Sequence, residues 1–316
     1  MSKAADRHRV RIGTLTVGDG LPVAVIGGDD ARWISLRGEH GRAASSDAGG
    51  DAVAAARDGW AGPLLVEPFS AGDLAAVARH ADGLVIGAAW MQDFGLVRAV
   101  ARLGLPVVVQ RGQAATLEEW LAIADYCVAE GNDRVVLCES GSRTHLGGVT
   151  LDFGLMRAAR ERSGRPVLAA LGGDARLAGA AVAAGADGLL LRQDAPAAAR
   201  EAAREAATVL APLVRPEAPA TVAAARGAID RTDAALATLL ERRAGLAVTV
   251  QRLKPVGGFR GRDMDRERGL VAGMAKRAPR LGEARLGPVM NAVIEAGLHL
   301  AEEERQACDQ ALRGAR

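Results

Sequence analysis

"PVAVIGGDDARWISLRG", Pro22 to Gly38, decides the fold. Two apolar runs, "PVAVIGG" and "WISLRG", flank a break of only five residues, Gly28 to Arg32. Further along the chain come "PLLVEPF", "GLVIGAA", "PVVVQRG", "RVVLCES", "PVLAAL" and "GLLLR". Counted from the first, these make eight short runs between about Val10 and Ala211. Ala- and Leu-rich segments lie between them, such as Gly72–His80, Phe94–Leu103, Thr116–Glu130 and Leu151–Ser163. Alternation at this spacing predicts an α/β fold, a parallel sheet closed as a (β/α)8 TIM-type barrel. The opening break does not fit that pattern, because a parallel crossover needs about a dozen residues or more. The barrel is therefore expected to be incomplete, with its first helix missing. Its first two runs should either pair antiparallel or leave the first run outside the barrel. The apolar surface left bare is expected to meet something else, such as another subunit.

Composition bounds the function. Apolar residues make up 49% of the chain and aromatic ones 3%, so the core must be built of Ala, Val and Leu. With 40 basic and 38 acidic residues the formal charge is +2, which supports neither a nucleic-acid footprint nor a basic membrane surface. Three cysteines, Cys127, Cys138 and Cys308, form no CxxC pair, and an odd count argues against a disulfide framework. Cys127 and Cys138 are expected to be core thiols. A reduced, cytoplasmic setting follows as an expectation. "MSKAADRHRV" has no apolar signal region and no long uncharged run occurs, so neither a signal peptide nor a membrane span is expected.

After Ala211 the rhythm changes. Residues 1–211 read as the barrel. Residues 212–220, with Pro212, Pro216 and Pro219, read as a linker, and residues 221–316 as a small all-α domain. Ile229, Leu236, Leu239, Leu246, Val250 and Leu253 recur at helical spacing until Lys254-Pro255 ends the helix. Further helices are expected over about Asp263–Ala278 and Leu286–Ala307. The first helix, roughly 50 Å long at ~1.5 Å per residue, is too long for its own short domain to cover, so it is expected to pair with a second copy.

Charge concentrates on these helices. Arg243 and Lys254, 11 residues apart, share a face, as do Asp263, Arg266 and Glu267 at i, i+3 and i+4. Arg226 lies 17 residues before Arg243, roughly 25 Å along a straight helix. It is placed to serve a partner chain's site rather than its own. Taken singly, each of these residues also fits a solvated helix face with ion pairs. Taken together, "ARGAIDRTDAALATLLERRAGLAVTVQRLK" and "RDMDRERGLV" resemble the all-helical chorismate mutases over about Ala225 to Glu304. The resemblance implies an isomerase acting on a chorismate-like dianion in a homodimer with shared sites, and it implies no cofactor and no metal. Arg243 and a partner's Arg226 would hold carboxylates and Lys254 would donate to the ether oxygen. Arg266 would support the anion, and Glu267 and Asp263 would fix the ring hydroxyl. One position departs from the family pattern. Where a Gln donates to the ether oxygen, "AGLHLAEEER" puts Ala301, so either the mutase is weak, or the neighbouring Glu302 reaches the oxygen protonated, or the substrate differs. Loss of one such donor costs on the order of 10²–10³ in rate.

"GNDRVVLCESGSRTH", "VTLDFGLMRAARERSGRPVL" and "RIGTLTVGDGLPVAVIGG" resemble the 3-deoxy-D-arabino-heptulosonate 7-phosphate (DAHP) synthases, metal-dependent barrel aldolases, from about Arg9 to Arg200. Most of the family's chemical groups are replaced. Asp29 stands for a metal-binding Cys, "AALGGDAR" lacks the His, and Arg192 stands for a metal-binding Glu. "EHGRAAS" keeps only Arg42 of the phosphoenolpyruvate motif, Gln110 replaces a Lys, and Ser140 replaces an Arg although Arg143 survives. Asp29, Arg42 and Arg143 would then be the relics of an inactive synthase site, since one carboxylate and an arginine hold no metal. The resulting expectation is chorismate mutase chemistry, on chorismate or on an analogue such as 4-amino-4-deoxychorismate, beside an inactive barrel. The alternative is a non-catalytic regulatory protein that binds a chorismate-like effector or a true DAHP synthase as partner.

Overall fold

A computed structural model describes residues 8–37, 46–145, 147–172, 174, 176–254, 256 and 258–314. The chain divides into two compact units, the first ending at Thr232 and the second beginning at Asp233.

The first unit is a barrel. A hairpin of β1 (Arg9–Ile12) and β2 (Leu15–Gly18) precedes it. The eight barrel strands are β3 (Ala24–Ile26), β4 (Arg32–Ser35), β5 (Leu64–Glu67), β6 (Gly83–Ile86), β7 (Val107–Gln110), β8 (Val135–Glu139), β11 (Val167–Ala170) and β12 (Gly188–Leu190). A small hairpin, β9 (Ser142–Arg143) with β10 (Val149–Thr150), follows β8. Every pairing in the eight-stranded sheet is parallel, in the order β3-β12-β11-β8-β7-β6-β5-β4. The two edges meet through one parallel bridge, Ile26 to Ala31.

This corrects the expected pairing of the first two runs. β3 lies inside the barrel, parallel to its neighbours, and no helix separates it from β4. Neighbouring barrel strands are staggered, so Ala31 already sits beside Ile26 at the end of β3. The turn therefore steps sideways and need not return the length of a strand. Gly27 makes this step at φ +83°, where a Cβ would lie 2.3 Å from the Leu191 carbonyl oxygen. Its N–H donates to Ala31 O at 2.8 Å. The groove left by the missing helix, a cavity of about 350 Å³, runs past Val23, Val25 and Asp30 and is lined in part by Arg231.

Around the sheet stand α1 (Ser46–Arg57), α2 (Leu74–Val77), α3 (Phe94–Arg102), α4 (Leu117–Ala129), α5 (Phe153–Ser163), α6 (Leu177–Ala183) and α7 (Ala197–Glu205). Their starts are written locally. Asp93 and Asp152 cap α3 and α5, and Thr116 with Glu119 forms a capping box on α4. Strand alternation makes two cores. Leu65, Val85, Val108, Val136, Leu168 and Leu190 fill the barrel interior together with Val10, Ile12 and Val17 of the first hairpin. Leu64, Val66, Leu84, Val107, Val109 and Val167 face the helices. After α7 a π-turn (Ala206–Leu210) leads into α8 (Ala211–Val214), so the helical path continues past Pro212.

From α9 (Val222–Leu253) the chain is helical, continuing in α10 (Met264–Arg277) and α11 (Gly282–Gly314), the last longer at both ends than its sequence suggests. Among the described residues no helix is long and apolar enough to cross a membrane.

One charged pair is sealed in the barrel. Arg111 and Glu139, 1% and 0% exposed, form two hydrogen bonds of 2.5 and 2.8 Å. Glu139 also accepts from the Gly141 and Asp152 N–H groups, and Arg111 donates to Ser142 and to the Gly112 and Ala115 carbonyls. The tops of β7 and β8 and the cap of α5 are thereby joined. Removing one member leaves the other charged and buried, so Glu139→Ala should lower unfolding stability by about 3–5 kcal/mol. The paired replacement Arg111→Met/Glu139→Leu should cost less. Urea titration of both variants distinguishes this from a surface ion pair, whose loss would cost under about 1 kcal/mol.

Candidate active site

In the second unit, a cavity of about 240 Å³ opens between α9, α10 and α11. Helical periodicity supplies its walls. Arg243, Leu246, Ala247, Val250 and Gln251 come from one face of α9, with Lys254 just past its end; Arg266, Glu267 and Leu270 come from α10, with Asp263 at its N-cap; Ile294 and Leu298 come from α11. Five residues singled out from sequence thus line one cavity: Arg243, Lys254, Asp263, Arg266 and Glu267.

Each is held differently. Lys254 Nζ donates to Gly261 O at 2.8 Å, leaving its other protons for a ligand. Arg243 reaches the Val293 carbonyl at 3.3 Å. Asp263 caps α10, accepting from Arg266 N–H at 3.0 Å. The exposed Arg266 guanidinium has no partner among the described residues. Glu267 is gripped by Arg262 at 2.6 and 3.0 Å, and this contact holds its carboxyl below the usual range. Arg262, which also reaches Glu295 and Asn291, was not singled out from sequence, nor was Gln251, whose Oε1 accepts from Gly258 N–H at 2.8 Å. Neither carries a periodic signal of its own. Their contacts arise only once the loop after α9 folds back.

Other expected residues lie elsewhere. Arg226 is on α9 but does not line the cavity. Glu302 does not line it either; its Oε1 stands 2.8 Å from where a Cβ on Gly258 would be. In the barrel, Asp29 pairs with Arg204 at 3.0 Å beside the groove after β3, and Arg143 donates to Gln113 at 3.1 Å. Asp29 and Arg143 therefore do not meet in one site, and Arg42 lies outside the described residues. Cys127 and Cys138 are buried, with burial pushing the Cys127 thiol up to about 11 and the Cys138 thiol higher still. A synthase metal has no fit here. Among the described residues no three His, Cys, Asp or Glu side chains gather as ligands, and Arg192 occupies the mouth where a ligand is expected.

Comparison with known proteins also finds two parts. Residues 46–168 match the DAHP synthetase I family and residues 225–302 match chorismate mutase type II. Phospho-2-dehydro-3-deoxyheptonate aldolase of Thermotoga maritima is 34% identical over 137 residues, 40% of this chain and 40% of that protein. 2-Dehydro-3-deoxyphosphooctonate aldolase of Magnetococcus marinus is 30% identical over 148 residues, 41% and 51% of the two chains. The chain thus spans about half or less of these curated relatives. Among solved structures, the Thermotoga maritima DAHP synthase superposes with a TM-score of 0.53 at 24% identity, covering 62% of this chain and 68% of that one. A truncated form of that enzyme gives the same TM-score at 23% identity, covering 63% and 90%. These superpositions establish the shared barrel.

The grip of Arg262 on Glu267 has a measurable consequence. A carboxyl whose folded pKa is depressed contributes stability above its unfolded pKa and loses it as pH falls through the folded one. Arg262→Gln should raise the Glu267 titration midpoint, read by side-chain carbon NMR, and flatten the acid limb of the stability curve. An unchanged midpoint would remove Arg262 as the cause. The chain joins a DAHP synthase-like barrel to a helical region that matches chorismate mutase type II.

Proposed function

We propose that the helical unit is a chorismate mutase, an isomerase that rearranges chorismate, or a close analogue such as 4-amino-4-deoxychorismate, into the prephenate-type product. The observation that carries this reading is the charge of one cavity. Arg243, Lys254, Arg262 and Arg266 face Asp263 and Glu267, an excess of two positive charges that matches a dicarboxylate. The rearrangement is concerted and needs no nucleophile. The protein's part is to hold the dianion compactly and to meet the charge that grows on the breaking ether oxygen. Arg243 and Arg266 are suited to carboxylates and the pinned Lys254 ammonium to the ether oxygen. Gln251 and the Arg262–Glu267 pair complete the polar wall.

A homodimer belongs to this reading. Ile229, Leu236 and Val250 on one row, and Leu239, Leu246 and Leu253 on another, are spaced in sevens or their multiple along α9, and all are 40% exposed or more. Such rows are seams for a second helix. An antiparallel partner would bring its Arg226 to the cavity. The barrel has no synthase activity in this reading, because its donors hold no metal. The second reading, a regulatory protein that binds a chorismate-like effector without turnover, is favoured by Ala301, which supplies no donor.

Purified protein should consume chorismate, followed by its absorbance, and Lys254→Ala should reduce kcat by about 10²–10³-fold. Arg226→Ala and Lys254→Ala proteins, each weak alone, should regain activity when mixed and refolded, since a mixed dimer keeps one intact site. Background turnover in the unaltered protein would favour the effector reading. Absence of complementation with activity retained would remove the shared site. Condensation of phosphoenolpyruvate with erythrose 4-phosphate, assayed with added divalent metal, should be blank.

A further inference from the structure

A second cavity, about 730 Å³ and larger than that between the helices, opens at the C-terminal mouth of the barrel. It is built by strand alternation. The inward residues of the last layer are Ser35 on β4, Glu67 on β5, Gly87 after β6, Gln110 on β7 and Arg192 after β12. A Cβ at Gly87 would fall 2.0 Å from Glu67 Oε1, so a larger residue there would displace that carboxylate.

Most of the charge at this mouth is already committed. Arg192 grips Asp194 through two hydrogen bonds of 2.9 and 3.1 Å at the rim. Glu67 lies within 3.9 Å of Arg37, and burial pushes its carboxyl above the ordinary range. Arg37 is different. Its Nε donates to Pro68 O at 3.0 Å and its guanidinium lies 3.7 Å over the Trp90 ring. The nearest carboxylate oxygen, on Glu67, is 3.9 Å from that Nε. The two terminal nitrogens have no hydrogen-bond partner among the described residues. Stacking fixes the plane of a two-pronged donor and leaves its prongs available.

Two neutral donors stand nearby. Gln110 Oε1 accepts from Ala88 N–H at 3.3 Å, so its amide NH2 is turned elsewhere. The Trp33 indole N–H is buried with no acceptor. Around these donors the walls are flat and apolar: Trp33, Trp90, Ala88 and Ala89.

The geometry points to a binding site at the barrel mouth for a small organic monocarboxylate carrying a flat ring, its carboxylate on Arg37 and its ring between Trp33 and Trp90. Among the described residues Arg37 is the cation of this lining whose two terminal nitrogens have no hydrogen-bond partner, and a single such fork selects one negative charge. A phosphate ester with several charges would need more cations and a metal would need more carboxylates. The fork of Arg37 matches the two oxygens of a carboxylate, and indole faces accept a ring.

Benzoate is the probe, titrated into the full-length protein and read both by tryptophan emission and by calorimetry. Saturable binding with a change in emission is expected. Arg37→Gln should weaken it about 10- to 100-fold, and Arg37→Lys, which keeps the charge and loses the fork, should give a smaller loss. The double variant Arg243→Gln/Lys254→Gln should leave benzoate affinity unchanged, which separates this site from the cationic cavity of the helical unit. Mutase turnover of Arg37→Gln should equal that of the unaltered protein, which also reports that the variant folds. Absence of saturable binding, or binding that follows Arg243 and Lys254 instead of Arg37, would overturn the proposal. So would tighter binding of inorganic phosphate, or of phosphoenolpyruvate with Mn²⁺.

Discussion

The barrel depends on a turn of five residues. Between Ile26 and Arg32 the chain must leave one strand and enter the next in parallel, without the helix that ordinarily carries it back. It succeeds because barrel stagger brings Ala31 level with Ile26, and because Gly27 takes a positive φ where any side chain would strike Leu191. Closure then fixes the rest of the first unit. It gathers the inward residues of eight strands into layers, seals the lower ones with the first hairpin, and leaves the upper layer as an open mouth. It also leaves a groove where the helix is missing, lined in part from the start of α9 by Arg231.

The two cavities use charge in different ways. Between the helices, cations outnumber carboxylates, and the surplus stays close to solvent, where retaining it costs little desolvation. At the barrel mouth the described lining is balanced, and selectivity rests on the Arg37 fork, whose terminal nitrogens have no hydrogen-bond partner among the described residues. Deeper in the barrel, Arg111 and Glu139 consume each other entirely. "VVLCESGSRTH" accordingly supplies structure here, with Cys138 in the core and Glu139 as a buried strut.

Much of this was legible in the sequence because it is periodic. The eight runs are the eight strands, and helical spacing placed Arg243 and Lys254 on one wall and Asp263, Arg266 and Glu267 on another. The pairing of the first two runs was misread, because segment length says nothing about stagger. Arg37, Glu67, Trp90 and Arg262 were overlooked for a related reason: each acts through a neighbour that only ring closure or loop folding brings near. Asp29 and Arg143 were grouped by resemblance, position by position, and the structure gives each a separate partner.

The contact between Glu67 and Gly87 ties the shape of the mouth to its charge. Glu67 Oε1 stands 2.0 Å from where the Cβ of a side chain at position 87 would be. A larger residue at position 87 would push the Glu67 carboxylate from its place beside Arg37, since that oxygen is the mobile end of its side chain. The two positions, twenty residues apart in the chain, are thereby coupled through the charge of the mouth: bulk added at one is felt as a displaced carboxylate at the other.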